Sequence, residues 1–150
     1  MSQTLTKLLV HMVFSTKLRR NLVIPEIENE LYTYIGGICR GSRSPLLTIG
    51  GTANHVHLLV SLSKNVALSG LVMNVKKDSS KWIKTKGVGF RDFHWQDGYG
   101  AFTVGESQVA ALSKYIARQK EKHRNMTFEE EFIRFLEKYG ISYDPQYLWD

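Results

Sequence analysis

Two histidines separated by one apolar residue, His55–Val56–His57, have the residue types and spacing best suited to chemistry. With five histidines in 150 residues, a His-apolar-His triplet is expected by chance only about 0.1 times per chain. On a strand, positions i and i+2 point to the same side, so both imidazoles converge and can share one divalent ion. Two histidines half exposed on a sheet face would show the same spacing, so further ligands or a nucleophile are needed to decide. Tyr115 and Gln119 supply candidates. They are i,i+4 neighbours at the margin of an apolar stripe made by Val109, Leu112 and Ile116, and Lys114, Arg118 and Lys122 surround them. An aromatic at the edge of such a stripe is ordinarily packing, and a run of charge is ordinarily a solvated face.

The elements that must position these groups are legible in order. Leu8 to Thr16 is an apolar, β-branched run that reads as a strand buried on both faces. Pro25 followed by Glu26, Glu28 and Glu30 starts a helix whose apolar face is Ile27, Leu31, Ile35 and Ile38, closed by Gly41. Leu46 to Ile49 makes a second strand, Gly50 to Asn54 a turn, and His55 to Leu62 an alternating third strand. Val56, Leu58, Val60 and Leu62 share one face of it; His55, His57, Leu59 and Ser61 share the other. A second helix carries Leu68, Leu71, Val72, Val75, Ser79 and Trp82. Ala101 to Val104 reads as a fourth strand. Capping-box spacings at Thr103/Glu106 and Thr127/Glu130 predict a third helix over about 106–123 and a fourth ending near Gly140. The order β-α-β-β-α-β followed by helices predicts an α+β, ferredoxin-like antiparallel sheet, with helices on one face and the other face free.

Composition narrows the partner. The chain is 43% hydrophobic and 23% charged, the profile of one globular domain. A run of eighteen apolar residues and a signal-like N-terminus are both missing, so the sequence predicts a cytoplasmic protein without a membrane partner. The lone Cys39 fits a reducing compartment. Net charge is +6, but residues 127–150 alone carry −4, which leaves +10 on residues 1–126 and points to a polyanion. Residues 1–126 are expected to form the working domain, with 127–150 a helix and tail docked on the same unit.

Taken together, these pieces resemble a known family. Gly50–Gly51 followed by Asn54–His55–Val56–His57–Leu58–Leu59–Val60 resembles the HUH motif of the single-tyrosine, IS-two-hundred-like transposases. Tyr115–Ile116–Ala117–Arg118–Gln119 is similar to their tyrosine helix, with a glutamine four residues on. Phe14–Ser15–Thr16–Lys17 with Arg19–Arg20, and Trp95–Gln96–Asp97–Gly98–Tyr99, agree in order and spacing. The resemblance implies that Tyr115 attacks a phosphodiester of single-stranded DNA at hairpin-bearing ends, releasing a 3′ hydroxyl and keeping the 5′ phosphate on the tyrosine. It implies a divalent cofactor, Mg²⁺ or Mn²⁺, held by His55, His57 and Gln119. It also implies a homodimer in which the tyrosine helix of one subunit can complete the histidine pair of the other. Expected DNA contacts are Lys17, Arg19, Arg20, Lys76, Lys77, Lys81, Lys84, Lys114, Arg118 and Lys122, with Trp95 stacking on an unpaired base.

Three rival readings remain at this level. A non-catalytic nucleic-acid-binding module on the same sheet explains the charge but not the histidine pair. A host-adopted nuclease cutting chromosomal repeat hairpins would use identical site residues. A zinc hydrolase lacks an evident acidic third ligand beside the histidines.

Overall fold

The computed structural model describes residues 2–149. The helices and strands are β1 (Leu9–Ser15), α1 (Pro25–Gly41), β2 (Leu46–Thr52), β3 (His55–Ser61), α2 (Leu68–Ile83), β4 (Gly100–Thr103), α3 (Val109–Ala117), α4 (Gln119–Lys122) and α5 (Phe128–Lys138). The four strands form one antiparallel sheet in the order β2-β3-β1-β4, the ferredoxin-like α+β arrangement. Strands β3 and β1 are central, so the His-x-His segment lies in the middle of the sheet.

Alternation along β1 and β3 sends two sets of side chains to opposite faces. Met12, Phe14, Val56, Leu58 and Val60 pack under α1 and α2 with Ile27, Leu31, Ile35, Leu71, Val72 and Val75. Each such fully buried side chain contributes about 1.5–3 kcal/mol of burial free energy. Helix α1 begins with Pro25 at its first position and ends at Gly41, as its sequence dictates.

The opposite face departs from expectation. It is not free: α3 and α5 cover it, with Leu9, Leu59, Val104 and Ile116 in one cluster and Val13, Phe102, Phe128, Phe132 and Leu136 in another. The reason is the apolar stripe of α5, which must be buried and finds the aromatic surface of β1 and β4. Helix α5 starts as predicted, with the Glu130 amide donating to Thr127 Oγ1 at 3.1 Å.

Two other local expectations change. Gly50 and Gly51 belong to β2, opposite His57 and Val56, and the turn is reduced to Ala53–Asn54. A Cβ on Gly50 would lie 2.2 Å from the Ile116 carbonyl oxygen, so the glycine is what lets α3 lie directly on the strand. The expected continuous helix over 106–123 is instead a 3-10 turn at Glu106–Gln108, then α3, then α4, broken at Arg118 with φ −103° and ψ 23°. The Gln108 side chain, not Glu106, caps the entry by accepting from the Gly105 amide at 2.9 Å. Among the described residues no helix is long and apolar enough to cross a membrane.

Candidate active site

His55 and His57 project from β3 into the space between the sheet and helices α3 to α5, and both are fully buried. Helix α3 brings Tyr115 over the pair; its approach is fixed by Gly50 and by Thr48 Oγ1, which donates to Ser113 Oγ at 3.0 Å. Just past the break at Arg118, Gln119 turns inward and is also buried, with Oε1 2.8 Å from His55 Nε2. Tyr115, Gln119, His55 and His57 therefore meet, as their spacing on strand and helix requires.

The centre of the cluster is a residue that sequence reasoning missed. Glu131 of α5 is 1% exposed, and its Oε1 lies 2.9 Å from His57 Nε2, 3.1 Å from His123 Nε2 and 3.5 Å from His55 Nε2. Its Oε2 accepts from Gln119 Nε2 at 3.0 Å and from the Tyr115 hydroxyl. One carboxylate thus touches every other member of the site. A signal for it existed: Phe128, Glu131, Phe132, Phe135 and Leu136 occupy one helical face, so Glu131 is a carboxylate in an apolar stripe. The objection to a zinc hydrolase, that no acidic residue stood beside the histidines, accordingly falls, because Glu131 places a carboxylate there.

Electrostatics follow from burial and these contacts. Burial raises the Glu131 pKa, but hydrogen bonds from His123 and His57 and the His57 charge overcome it and hold the carboxyl far below the usual range. Burial lowers the pKa of His55. His123 is raised: desolvation pulls it down, but the hydrogen bond and charge of Glu131 and the bond to the Met126 carbonyl outweigh that. The Tyr115 phenol is pushed well up, first by burial and then by its hydrogen bond to Glu131, with Arg134 opposing. His11 of β1 lies behind the pair, with Nε2 2.8 Å from His57 Nδ1. Burial and the neighbouring His57 charge push its pKa down to about 3.

The donor set fits a divalent ion. His55 Nδ1 lies 2.8 Å from Asn54 Oδ1, an acceptor, so its N–H is committed there. The Nε2 lone pair of neutral His55 then faces the oxygens of Gln119 and Glu131, an arrangement of acceptors that a cation satisfies. Ligand atoms of His55, His57 and Glu131 all lie within 4.8 Å of one another. Mixed imidazole and oxygen donors suit Mn²⁺, and the two oxygens make Mg²⁺ acceptable.

The expected DNA contacts separate into groups. Lys114 on α3, Arg118 at the break and Lys122 on α4 are exposed, and Lys122 Nζ sits 5.6 Å from the Tyr115 ring centroid. Lys17 and Arg20 are exposed at the end of β1. Lys77 and Lys81 are exposed on α2 and Lys84 just past its end, and the α2 layer is across the sheet from the histidines. Two assignments need correcting. Trp95 is 4% exposed, edge-on to Phe14 and Phe93 with Nε1 donating to Ser79 Oγ at 3.0 Å, so it is core and has no open face for a base. Lys76 is half-buried and donates to the carbonyls of Gln96 (2.7 Å) and Gly98, clipping that loop to α2. Arg19 is also engaged, 3.7 Å from Glu129 and donating to the Trp149 carbonyl at 3.4 Å.

A ferredoxin-like sheet with a His-x-His pair on its central strand, under a tyrosine-bearing helix, places the chain in the class of HUH-type transposases. Residues 4–119 match the family model described as "Transposase IS200 like", and the chain belongs to that family. Among curated proteins, the ISDra2 transposase TnpA of Deinococcus radiodurans is 25% identical over 117 residues, covering 75% of this chain and 84% of its own. A solved structure of a candidate transposase from Deinococcus radiodurans R1 superposes with a TM-score of 0.62 at 22% identity, over 79% of this chain and 95% of the other. A REP-associated tyrosine transposase bound to a REP hairpin gives a TM-score of 0.60 at 16% identity, over 82% and 74%. The family match ends at Gln119, so His123 and Glu131 lie beyond it.

Proposed function

We propose that this transposase cleaves and rejoins single-stranded DNA at hairpin-bearing ends, with Tyr115 as nucleophile and a covalent 5′-phosphotyrosine as intermediate. The observation that carries the reading is the convergence of the Tyr115 hydroxyl, His55, His57 and Gln119 around Glu131.

His55, His57, Gln119 and Glu131 would hold the ion. Mg²⁺ or Mn²⁺ bound there offsets charge on the phosphate oxygens and polarises the phosphorus. The residues themselves bind and orient. His11 and Asn54 fix the two imidazole planes through their Nδ1 atoms, and the hydrogen bond to Glu131 aims the phenol into the cluster. As the Tyr115 oxygen bonds to phosphorus, the bond to the 3′ oxygen breaks; the phenol loses its proton and the leaving oxygen gains one. The reverse step, from a second strand's 3′ hydroxyl, rejoins DNA without another energy source.

All these residues meet within one chain, which supports a site assembled from a single subunit. A homodimer that exchanges the tyrosine helix is the alternative arrangement, tested below. The REP-bound neighbour supports a hairpin substrate and favours one second reading, in which the hairpin is a chromosomal repeat rather than an element end. Incubation with hairpin-bearing single-stranded DNA and Mn²⁺ should give an adduct that survives denaturing electrophoresis. Tyr115→Phe should abolish the adduct and keep binding; an adduct from that variant would overturn the assignment, and a pure binding module would form none with either protein.

A further inference from the structure

Beside Tyr115 lies a cavity of about 800 Å³, within the range of small-molecule sites. Its lining comes largely from α3 and α5 and the loop between α4 and α5, and includes Tyr115 and Glu131. Three cations reach it: Lys122, Arg134 and Lys138. Arg134 and Lys138 follow Glu131 at i+3 and i+7, so one face of α5 carries the carboxylate of the site and then, toward the helix end, two positive charges. Among the described residues none of the three cations has an ion-pair partner. Like charges four residues apart on a helix repel, and the one carboxylate lining the cavity, Glu131, is already engaged by three histidines, so a further anion is favoured there. Leu112, Phe135 and Tyr139 give the cavity an apolar stretch of wall, beside polar Ser107, Gln108 and Asn125. An apolar wall with a cationic rim, opening onto a phenol, matches a nucleotide unit: a planar base and a backbone phosphate.

Building on the reading above, we propose that this cavity binds the nucleotide adjoining the scissile phosphodiester, with Lys122, Arg134 and Lys138 holding its backbone phosphate. Helix α5, which lies outside the residues matched to the family, then contributes both to the catalytic cluster and to the path of the DNA. The occupant must be continuous with the phosphate that Tyr115 attacks, which a free small anion or a second protein is not.

The test is binding of a fluorescein-labelled dT12 oligonucleotide by anisotropy across a salt series. Arg134→Gln with Lys138→Gln removes two charges while leaving polar side chains; Arg40→Gln with Lys64→Gln, on exposed positions of α1 and the loop after β3, is the charge-matched control. Each lost phosphate contact lowers the slope of log K against log salt by about 0.7 for single strands, so the first double variant, which strips two of three cations from one phosphate, should lose up to about 0.7 and the control nothing. A wild-type slope in the first variant, or an equal fall in both, would overturn the cavity assignment while leaving the Tyr115 adduct intact. A wild-type protein that neither binds dT12 nor forms an adduct would overturn the proposed function itself, and this inference with it.

Discussion

Substituting Gly50 by alanine tests the placement of the tyrosine helix without touching a catalytic group. The new Cβ would lie 2.2 Å from the Ile116 carbonyl oxygen and 3.0 Å from its carbonyl carbon. An ordinary contact is roughly 1 Å longer, and packed interiors relieve such an overlap by displacing backbone at a cost of about 1–3 kcal/mol. For a chain of this size that corresponds to a fall in Tm of about 2–12 °C. The displaced segment is α3 itself, and Tyr115 precedes Ile116, so the phenol moves by about 1 Å relative to His55 and His57. A misplacement of that size costs about 100-fold in rate. Single-turnover adduct formation on hairpin-bearing DNA, with Tm read in parallel, measures both. Gly70→Ala in α2 is the control, because nothing lies within 4 Å of its new Cβ and alanine favours the helix. Adduct formation within threefold of wild type together with an unchanged Tm in Gly50→Ala would refute the docking of α3 on β2.

Glu131→Gln should remove much of the Tm increase that Mn²⁺ gives the wild-type protein; an unchanged increase would exclude the carboxylate as a ligand. In metal-free protein, acid should destabilise the fold. His11, held near 3, and His55, also lowered, refuse protons that the unfolded chain accepts, so stability falls as pH drops below about 6.5. Glu131, lowered, adds a contribution present above about 4.5 and lost as pH falls, while raised His123 acts oppositely, its contribution full below about 6.5 and lost as pH rises through its folded pKa. Thermal melts from pH 7 to 4 should therefore show a declining Tm, shallower in His11→Phe, and a flat profile would contradict these environments. Mixing Tyr115→Phe with His57→Ala should restore no adduct if one chain supplies the whole site; recovered activity would show exchanged helices.

Much of the site was legible because two periodicities decide which groups meet. Alternation put His55 and His57 on one face of β3, and the i,i+4 spacing put Tyr115 beside Gln119 even though the helix breaks between them at Arg118. Sheet order followed from the β-α-β-β-α-β sequence of elements. What escaped was long-range. Glu131 is 74 residues from His57, and the acidic stretch from Glu129 to Glu131 reads as a solvated helix start until the apolar stripe through Glu131 is traced. The glycine pair looked like a turn because the demand on Gly50 comes from Ile116, on an element remote in sequence. Trp95 and Lys76 looked like DNA contacts by residue type, and only packing reveals that Ser79, Gln96 and Gly98 already engage them.

The most direct measurement is to locate the covalent bond. The protein is incubated with a pool of hairpin-bearing single-stranded DNAs and Mn²⁺, digested with nuclease and trypsin, and analysed by tandem mass spectrometry. A phosphorylated nucleotide remnant on Tyr115, lost on chelation of the metal and in His57→Ala, is the expected result. A remnant on another residue, or cleaved DNA with no protein-linked phosphate, would contradict Tyr115 as the nucleophile.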